Sequence, residues 1–120
     1  MLYTTFHDLQ LSRLGMGAMR LPNLGERRGP IDEPAARAVI EAAYAGGVNY
    51  FDTAYRYHGG ASEPFLARVL SQYPRDSYYL ATKLPGHQMT YRNGELAFTG
   101  YLSGEPVQSP ATIFEDQLAR

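Results

Sequence analysis

The feature that most constrains this chain is an order of signals that occurs twice: an apolar strand-like run, a polar stretch, a capping residue before a Glu-Pro pair, an amphipathic run and a stop. In the first copy Asp32 precedes Glu33-Pro34, and Ala36, Val39, Ile40, Ala43 and Tyr44 recur at helical spacing. The pattern predicts a helix capped by Asp32 and stopped by Gly46-Gly47, with Val48-Asn49-Tyr50-Phe51 following as a short buried strand. In the second copy a polar loop runs from Asp52 to Ala61, and Ser62 is the expected N-cap before Glu63-Pro64. Phe65, Leu66, Val69 and Leu70 form the apolar face of that helix, and Tyr73-Pro74 ends it. A third strand is expected over Ser77 to Thr82, with Lys83 at its C-terminal end and Pro85-Gly86 closing it.

The flanks complete the plan. Tyr3 to Leu21 alternates loosely and reads as a hairpin leading into a first strand whose far end, Gly15-Met16-Gly17-Ala18, is lined by glycine. Asn23 to Pro30 reads as loop. Positions 84–108 are rich in Gly, Tyr and polar residues without a clear period, and Ser109-Pro110 opens a last helix carrying Ile113, Phe114, Gln117 and Leu118. Strands alternating with helices imply parallel pairing and right-handed crossovers. Of the two architectures built that way, the doubly wound sheet lacks its fingerprint here, because Gly15-Met16-Gly17 continues without the third glycine. The expected fold class is therefore α/β: the N-terminal part, about three βα units, of a (β/α)8 TIM barrel preceded by a short β-hairpin. Residues 1–120 are expected to form one fragment of a single barrel domain, since such barrels usually run to roughly 250 residues.

Composition narrows the function classes. Of 120 residues, 11 are basic and 12 acidic, a net charge of −1 that gives no footprint for a nucleic acid or an anionic membrane. The absence of Cys excludes disulfides and thiolate metal sites. No apolar run approaches a membrane span, and Asp8 and Arg13 interrupt the N-terminus, so a soluble cytoplasmic protein is expected. Lys83 is the only lysine beside ten arginines, and a compact amine can do chemistry that an always-protonated guanidinium cannot.

In parallel α/β folds chemistry gathers at the C-terminal ends of the strands. Those ends carry Gly17 to Arg20, Asp52 to Tyr57, and Thr82-Lys83. A carboxylate, a phenol and an amine on one mouth make a coherent set. A phenol with a reference pKa near ~10 becomes a better acid when a cation lies within roughly 4–6 Å, and a carboxylate can hold that cation in place. Such a pair suits protonation of a carbonyl oxygen. Tyr50, Tyr55 and positions 86–108 offer aromatic lining for a substrate, while His58 and His87 read as partly exposed loop residues.

The run Val48-Asn49-Tyr50-Phe51-Asp52-Thr53-Ala54-Tyr55-Arg56-Tyr57-His58-Gly59, with Ser62-Glu63, Ala81-Thr82-Lys83 and Leu14-Gly15-Met16-Gly17, resembles the aldo-keto reductase family over residues 9–86. The resemblance implies that Asp52, Tyr57 and Lys83 are three of a catalytic tetrad, that the five-residue spacing selects Tyr57 over Tyr55, and that NADPH is the hydride donor with its nicotinamide end near Gly17, Met19 and Asp52. It implies a small-molecule carbonyl substrate, an aldehyde or ketone, and leaves the oligomeric state open. The family's fourth tetrad member is a His on the fourth barrel strand, and no residue here corresponds to it. The wording around Tyr57 and Leu84 is most similar to bacterial members that carry a ferredoxin-like cluster domain. Two alternatives stand beside the enzyme: a nicotinamide-binding regulatory subunit of the same fold that does not turn over, and an isolated chain that is incomplete and inactive.

Overall fold

The computed structural model describes residues 1–25, 29–92, 94–98 and 108–120. Glu26, Arg27 and Arg28 of the expected loop, positions 99–107 of the segment without a period, and the side chain of His87 lie outside the described residues. The chain divides into two compact units, Met1–Thr82 and Lys83–Arg120.

The first unit opens with strands β1 (Tyr3–Phe6) and β2 (Leu9–Ser12), an antiparallel hairpin. Its two-residue loop places His7 at φ 53°, the left-handed conformation that tight hairpin turns require. A three-stranded parallel sheet follows, β3 (Met16–Gly17), β4 (Tyr50–Asp52) and β5 (Tyr79–Ala81), in the order β3-β4-β5. Helix α1 (Glu33–Ala45) joins β3 to β4, and α2 (Ser62–Leu70) joins β4 to β5. Strand β4 begins at Tyr50 rather than Val48, and β5 is shorter than the expected run because Arg75–Ser77 winds into a 3₁₀ turn.

Both ends of α1 follow from its sequence. The Asp32 carboxylate accepts a hydrogen bond from the Ala35 amide at 3.2 Å, and Pro34 fills a position whose amide has no partner in a helix. At the other end Gly47 sits at φ +90°, its amide donating to Tyr44 O and the Val48 amide to Ala43 O, the paired bonds of a Schellman stop. Ala36 and Ile40 are buried, with Ala43 and Tyr44 packed beside them. Val39, expected on this face, is exposed, because it lies to the solvent side of that stripe.

Helix α2 departs from expectation at its start. Ser62 is its first residue, not its cap, and no side chain caps this helix. The Ser62 hydroxyl is buried and lies 2.9 Å from that of Thr53. Phe65, Leu66, Val69 and Leu70 join Ile40, Val48 and Phe51 in the core between the helices and one face of the sheet. Burying a side chain of this size contributes about 1.5–3 kcal/mol.

The hairpin is fastened to the opposite end of the sheet from the strand ends that carry the candidate residues. Asn49, just before β4, accepts from the Ser12 amide at 2.7 Å and donates to Gln10 O at 2.8 Å, while its own amide donates to the Ser12 hydroxyl.

The second unit holds what the sequence left without a period. Strands β6 (Met89–Arg92) and β7 (Glu95–Phe98) pair antiparallel, with Gly94 at φ +83° in the turn. The Asn93-Gly94 dipeptide between two four-residue runs is the signal that marks such a hairpin. Helix α3 (Pro110–Ala119) is capped by the Ser109 hydroxyl, which accepts from the Thr112 amide. Of its expected apolar face only Ile113 is buried; Phe114 and Leu118 are exposed.

Gly47 generates a direct test. A Cβ there would lie 2.8 Å from both the Met1 Cβ and the Tyr3 hydroxyl, in a backbone conformation that penalises any L side chain. Gly47→Ala is expected to cost about 1–2 kcal/mol, read as a lower urea midpoint with an unchanged slope. An unchanged midpoint would contradict this account of the stop.

Candidate active site

The site is built where the parallel strands end level. Gly17 on β3 is the register partner of Asp52 on β4, and Asp52 is the partner of Ala81 on β5. Two further backbone bonds carry the pairing past the strand ends, Ala18 N–H to Asp52 O and Thr53 N–H to Ala81 O, both 2.8 Å. Strand alternation sends Phe51 into the core and puts Asp52 on the other face of the sheet, where it is half-buried. The sequence-predicted Gly17 and Asp52 are therefore brought together.

Tyr57 enters a 3₁₀ turn, Tyr57–Gly60, five residues beyond Asp52, its amide donating to Ala54 O at 3.1 Å. It is half-buried, whereas its rival Tyr55 is buried, with the Arg56 guanidinium 5.7 Å from its ring centroid. Tyr50, offered as substrate lining, sits against Gly15, with its Cδ1 3.3 Å from where a Cβ of residue 15 would stand, beside the hairpin and away from the strand ends.

Lys83 is the first residue of the second unit, two positions past the end of β5, and its carbonyl accepts from the Gln117 amide group at 3.3 Å. In the first unit the adjacent Thr82 hydroxyl donates to the carboxylate of Glu63, a buried acid at the start of α2.

Gly17 and Met19 differ from their neighbour. Ala18 is buried, Met19 is exposed, and apart from Gly17 itself and its two chain neighbours no heavy atom of the described residues lies within 4 Å of the point where a Cβ on Gly17 would stand. This strand end therefore offers bare backbone and an apolar side chain, a surface against which a flat ring can lie.

His58, expected as a partly exposed loop residue, is half-buried in the turn after Tyr57. It holds φ 53° and ψ 42°, followed by Gly59 at +65° and Gly60 at +92°, three left-handed residues in succession directly after Tyr57. Its Nε2 accepts the Leu21 amide at 3.1 Å. The Gly59-Gly60 pair after a histidine was the available signal, since glycine there frees the backbone to aim that side chain.

Burial holds the His58 pKa below its ordinary 6.5, and the nearby Ala18 backbone partly opposes this. A histidine depressed in this way binds fewer protons folded than unfolded, so stability rises with pH between its folded pKa and 6.5 and is lost as pH falls through that window. Unfolding midpoints at about pH 5 and about pH 7.5 should differ more in the unaltered chain than in His58→Gly. An equal difference in both would contradict a neutral, hydrogen-bonded ring.

The profile of the Aldo/keto reductase family matches residues 13–99. Among curated proteins, the chain is 40% identical over 77 residues to L-galactose dehydrogenase of Arabidopsis thaliana, covering 62% of this chain and 23% of that protein. It is 39% identical over 75 residues to D-threo-aldose 1-dehydrogenase of a Pseudomonas species, covering 62% and 22%. Among solved structures, the holo form of an aldo-keto reductase from Bacillus halodurans aligns with a TM-score of 0.60 at 30% identity, covering 93% of this chain and 33% of that one. The glycerol dehydrogenase of Gluconobacter oxydans aligns at 0.59 and 27%, covering 93% and 32%. The chain thus spans under a quarter of the length of those two curated relatives and about a third of those solved structures. The fold is that share of a (β/α)8 barrel, and the chain belongs to the aldo/keto reductase family.

Proposed function

We propose that this chain carries the proton-donating groups of an NADPH-dependent oxidoreductase that reduces a small-molecule aldehyde or ketone. The observation that carries the reading is the level pairing of Gly17 with Asp52, with Tyr57 on the turn that follows, in a chain of this family. Gly17, Met19 and Asp52 would hold the nicotinamide end of the cofactor, the open backbone at Gly17 and the exposed Met19 fitting a flat apolar ring. When bound, NADPH supplies the hydride that the carbonyl carbon receives.

The chain's own residues supply the rest. Tyr57 donates its phenolic proton to the carbonyl oxygen, so that the product leaves as the alcohol and the tyrosine is left as phenolate. The family resemblance gives Lys83 the role of supplying the positive charge that stabilises that phenolate, and Asp52 that of keeping the amine charged and oriented. Water can then return the proton to Tyr57.

One relative, 32% identical over 76 residues, is named an NADH-specific methylglyoxal reductase, from Escherichia coli. The choice of NADPH over NADH is accordingly part of the proposal. No helix among the described residues is long and apolar enough to cross a membrane. We place the protein in the cytoplasm, with its carbonyl substrate rather than a nucleic acid or a membrane as partner.

Tyr57→Phe tests the reading in the whole protein. It is expected to lower kcat by about 10²–10⁴-fold while the NADPH dissociation constant changes by less than about threefold. Unchanged turnover, or equal losses in both, would overturn the assignment. Parallel measurements with NADH should show the weaker binding.

A further inference from the structure

We infer that Ser62 and Glu63, the first two residues of α2, are positioning residues: they fix the far end of the segment carrying Tyr57 to the ends of the parallel strands, Ser62 through the hydroxyl of Thr53 and Glu63 through that of Thr82. The inference rests on the oxidoreductase reading above, because it gives these residues the task of holding that reading's proton donor.

The strands set the geometry. Asp52 and Ala81 are register partners, and the Thr53 amide donates to the Ala81 carbonyl at 2.8 Å, so Thr53 and Thr82 each stand one residue beyond a level strand end. Side chains alternate along a strand, which turns Thr53 to the face of Phe51, opposite Asp52. Thr53 is accordingly buried. Thr82 turns to the same side, where its hydroxyl donates to the carboxylate of Glu63. Adjacent strands lie about 4.7–4.9 Å apart and successive helix side chains diverge by about 100°, so two consecutive residues at one helix start can each reach a different strand.

The Ser62 hydroxyl extends the set to the third strand. It lies 2.9 Å from the Thr53 hydroxyl and donates to the Ala18 carbonyl at 3.5 Å. A hydroxyl has one hydrogen, so with Ser62 donating to Ala18 the Thr53 hydroxyl is the donor to Ser62. Ala18 follows β3, Thr53 follows β4 and Thr82 follows β5, and the start of α2 meets all three. These groups lie deep: the relative exposure of Ser62 is 0%, of Thr53 1% and of Glu63 7%. Polar groups at such depth are costly unless they keep their hydrogen bonds, which favours the one geometry in which every bond is made. The Glu63 carboxylate gains further from the positive end of the helix it begins.

The consequence falls on Tyr57. It lies on the stretch between Thr53 and Ser62, whose two ends are joined by that hydroxyl pair, and its own amide donates to the Ala54 carbonyl at 3.1 Å. A loop closed at its base samples fewer conformations than one held at a single end. The bond from Thr82 to Glu63 anchors the same base to β5. A donor hydroxyl on such a loop is held in place, and small misplacements of a reacting group are costly in rate.

Valine keeps the shape of threonine without its hydroxyl, and serine keeps the hydroxyl, so the two substitutions test the inference in the whole protein. In Thr53→Val the Tyr57 amide is expected to exchange about tenfold faster, and kcat to fall by about ten- to a hundredfold while the NADPH dissociation constant moves by less than about threefold. Thr53→Ser is expected to recover kcat to within about threefold of the unaltered protein. Thr82→Val, at an exposed position, is expected to lower kcat by about three- to tenfold with the same unmoved dissociation constant, and it decides the matter should Thr53→Val not fold. Unchanged kcat in either valine variant, unchanged exchange at Tyr57, or a loss as large in Thr53→Ser as in Thr53→Val would overturn the positioning role. Failure of the oxidoreductase reading is visible separately, as absent carbonyl turnover in the unaltered protein, where exchange at Tyr57 still reports whether α2 holds the loop.

Discussion

The level ending of three parallel strands is the constraint on which the rest of this arrangement depends. Gly17, Asp52 and Ala81 stand side by side, and the backbone bonds of Ala18 and Thr53 extend the pairing by one residue beyond the strands. Side chains alternate across a sheet, so a slip of one residue would exchange Phe51 and Asp52 between the core and the open face. Such a slip would bury a carboxylate among Ile40, Phe65 and Leu66, at a cost far above that of any single contact at the site. The core therefore fixes the register, and the register fixes which groups meet at the strand ends.

Beyond that frame, the two ends of the sheet serve different purposes. The Asn49 and Ser12 hydrogen bonds hold the hairpin at one end, and Tyr50 is occupied there. The other end is held by polar groups within the 52–62 segment: the Ser62 hydroxyl, itself paired with that of Thr53, reaches the Ala18 carbonyl, and the His58 ring accepts the Leu21 amide. The site is thus a loop tied to a strand end by side-chain hydrogen bonds, on a scaffold whose stability comes from apolar burial elsewhere.

Much of this was legible in the sequence where a residue has one local use. Asp32 before Glu33-Pro34 and the Gly46-Gly47 stop act within their own helix, and both do what their types suggest. Ser62 has the same appearance but a different use, because its hydroxyl meets Thr53, a partner that only the fold brings near. His58 is the partly exposed loop residue the sequence suggests, but its hydrogen bond to Leu21, far away along the chain, was not legible there. The β6 and β7 hairpin carried its signal in Asn93-Gly94, but its short runs mix polar and apolar residues and blend into a polar, glycine-rich stretch. The candidate set Gly17, Met19, Asp52, Tyr57 and Lys83 came from strand-end position and from family resemblance; the tertiary ties that hold the site did not.

The Gly17 to Met19 strand end and Asp52 are the surface proposed to receive the cofactor. Titrating the protein with NADPH while following backbone amide shifts tests it most directly. Shifts are expected at Gly17, Ala18, Met19 and Asp52, with the hairpin residues Tyr3 to Ser12 unmoved. Shifts confined to the hairpin and Tyr50, or none at the strand ends under saturating cofactor, would contradict it.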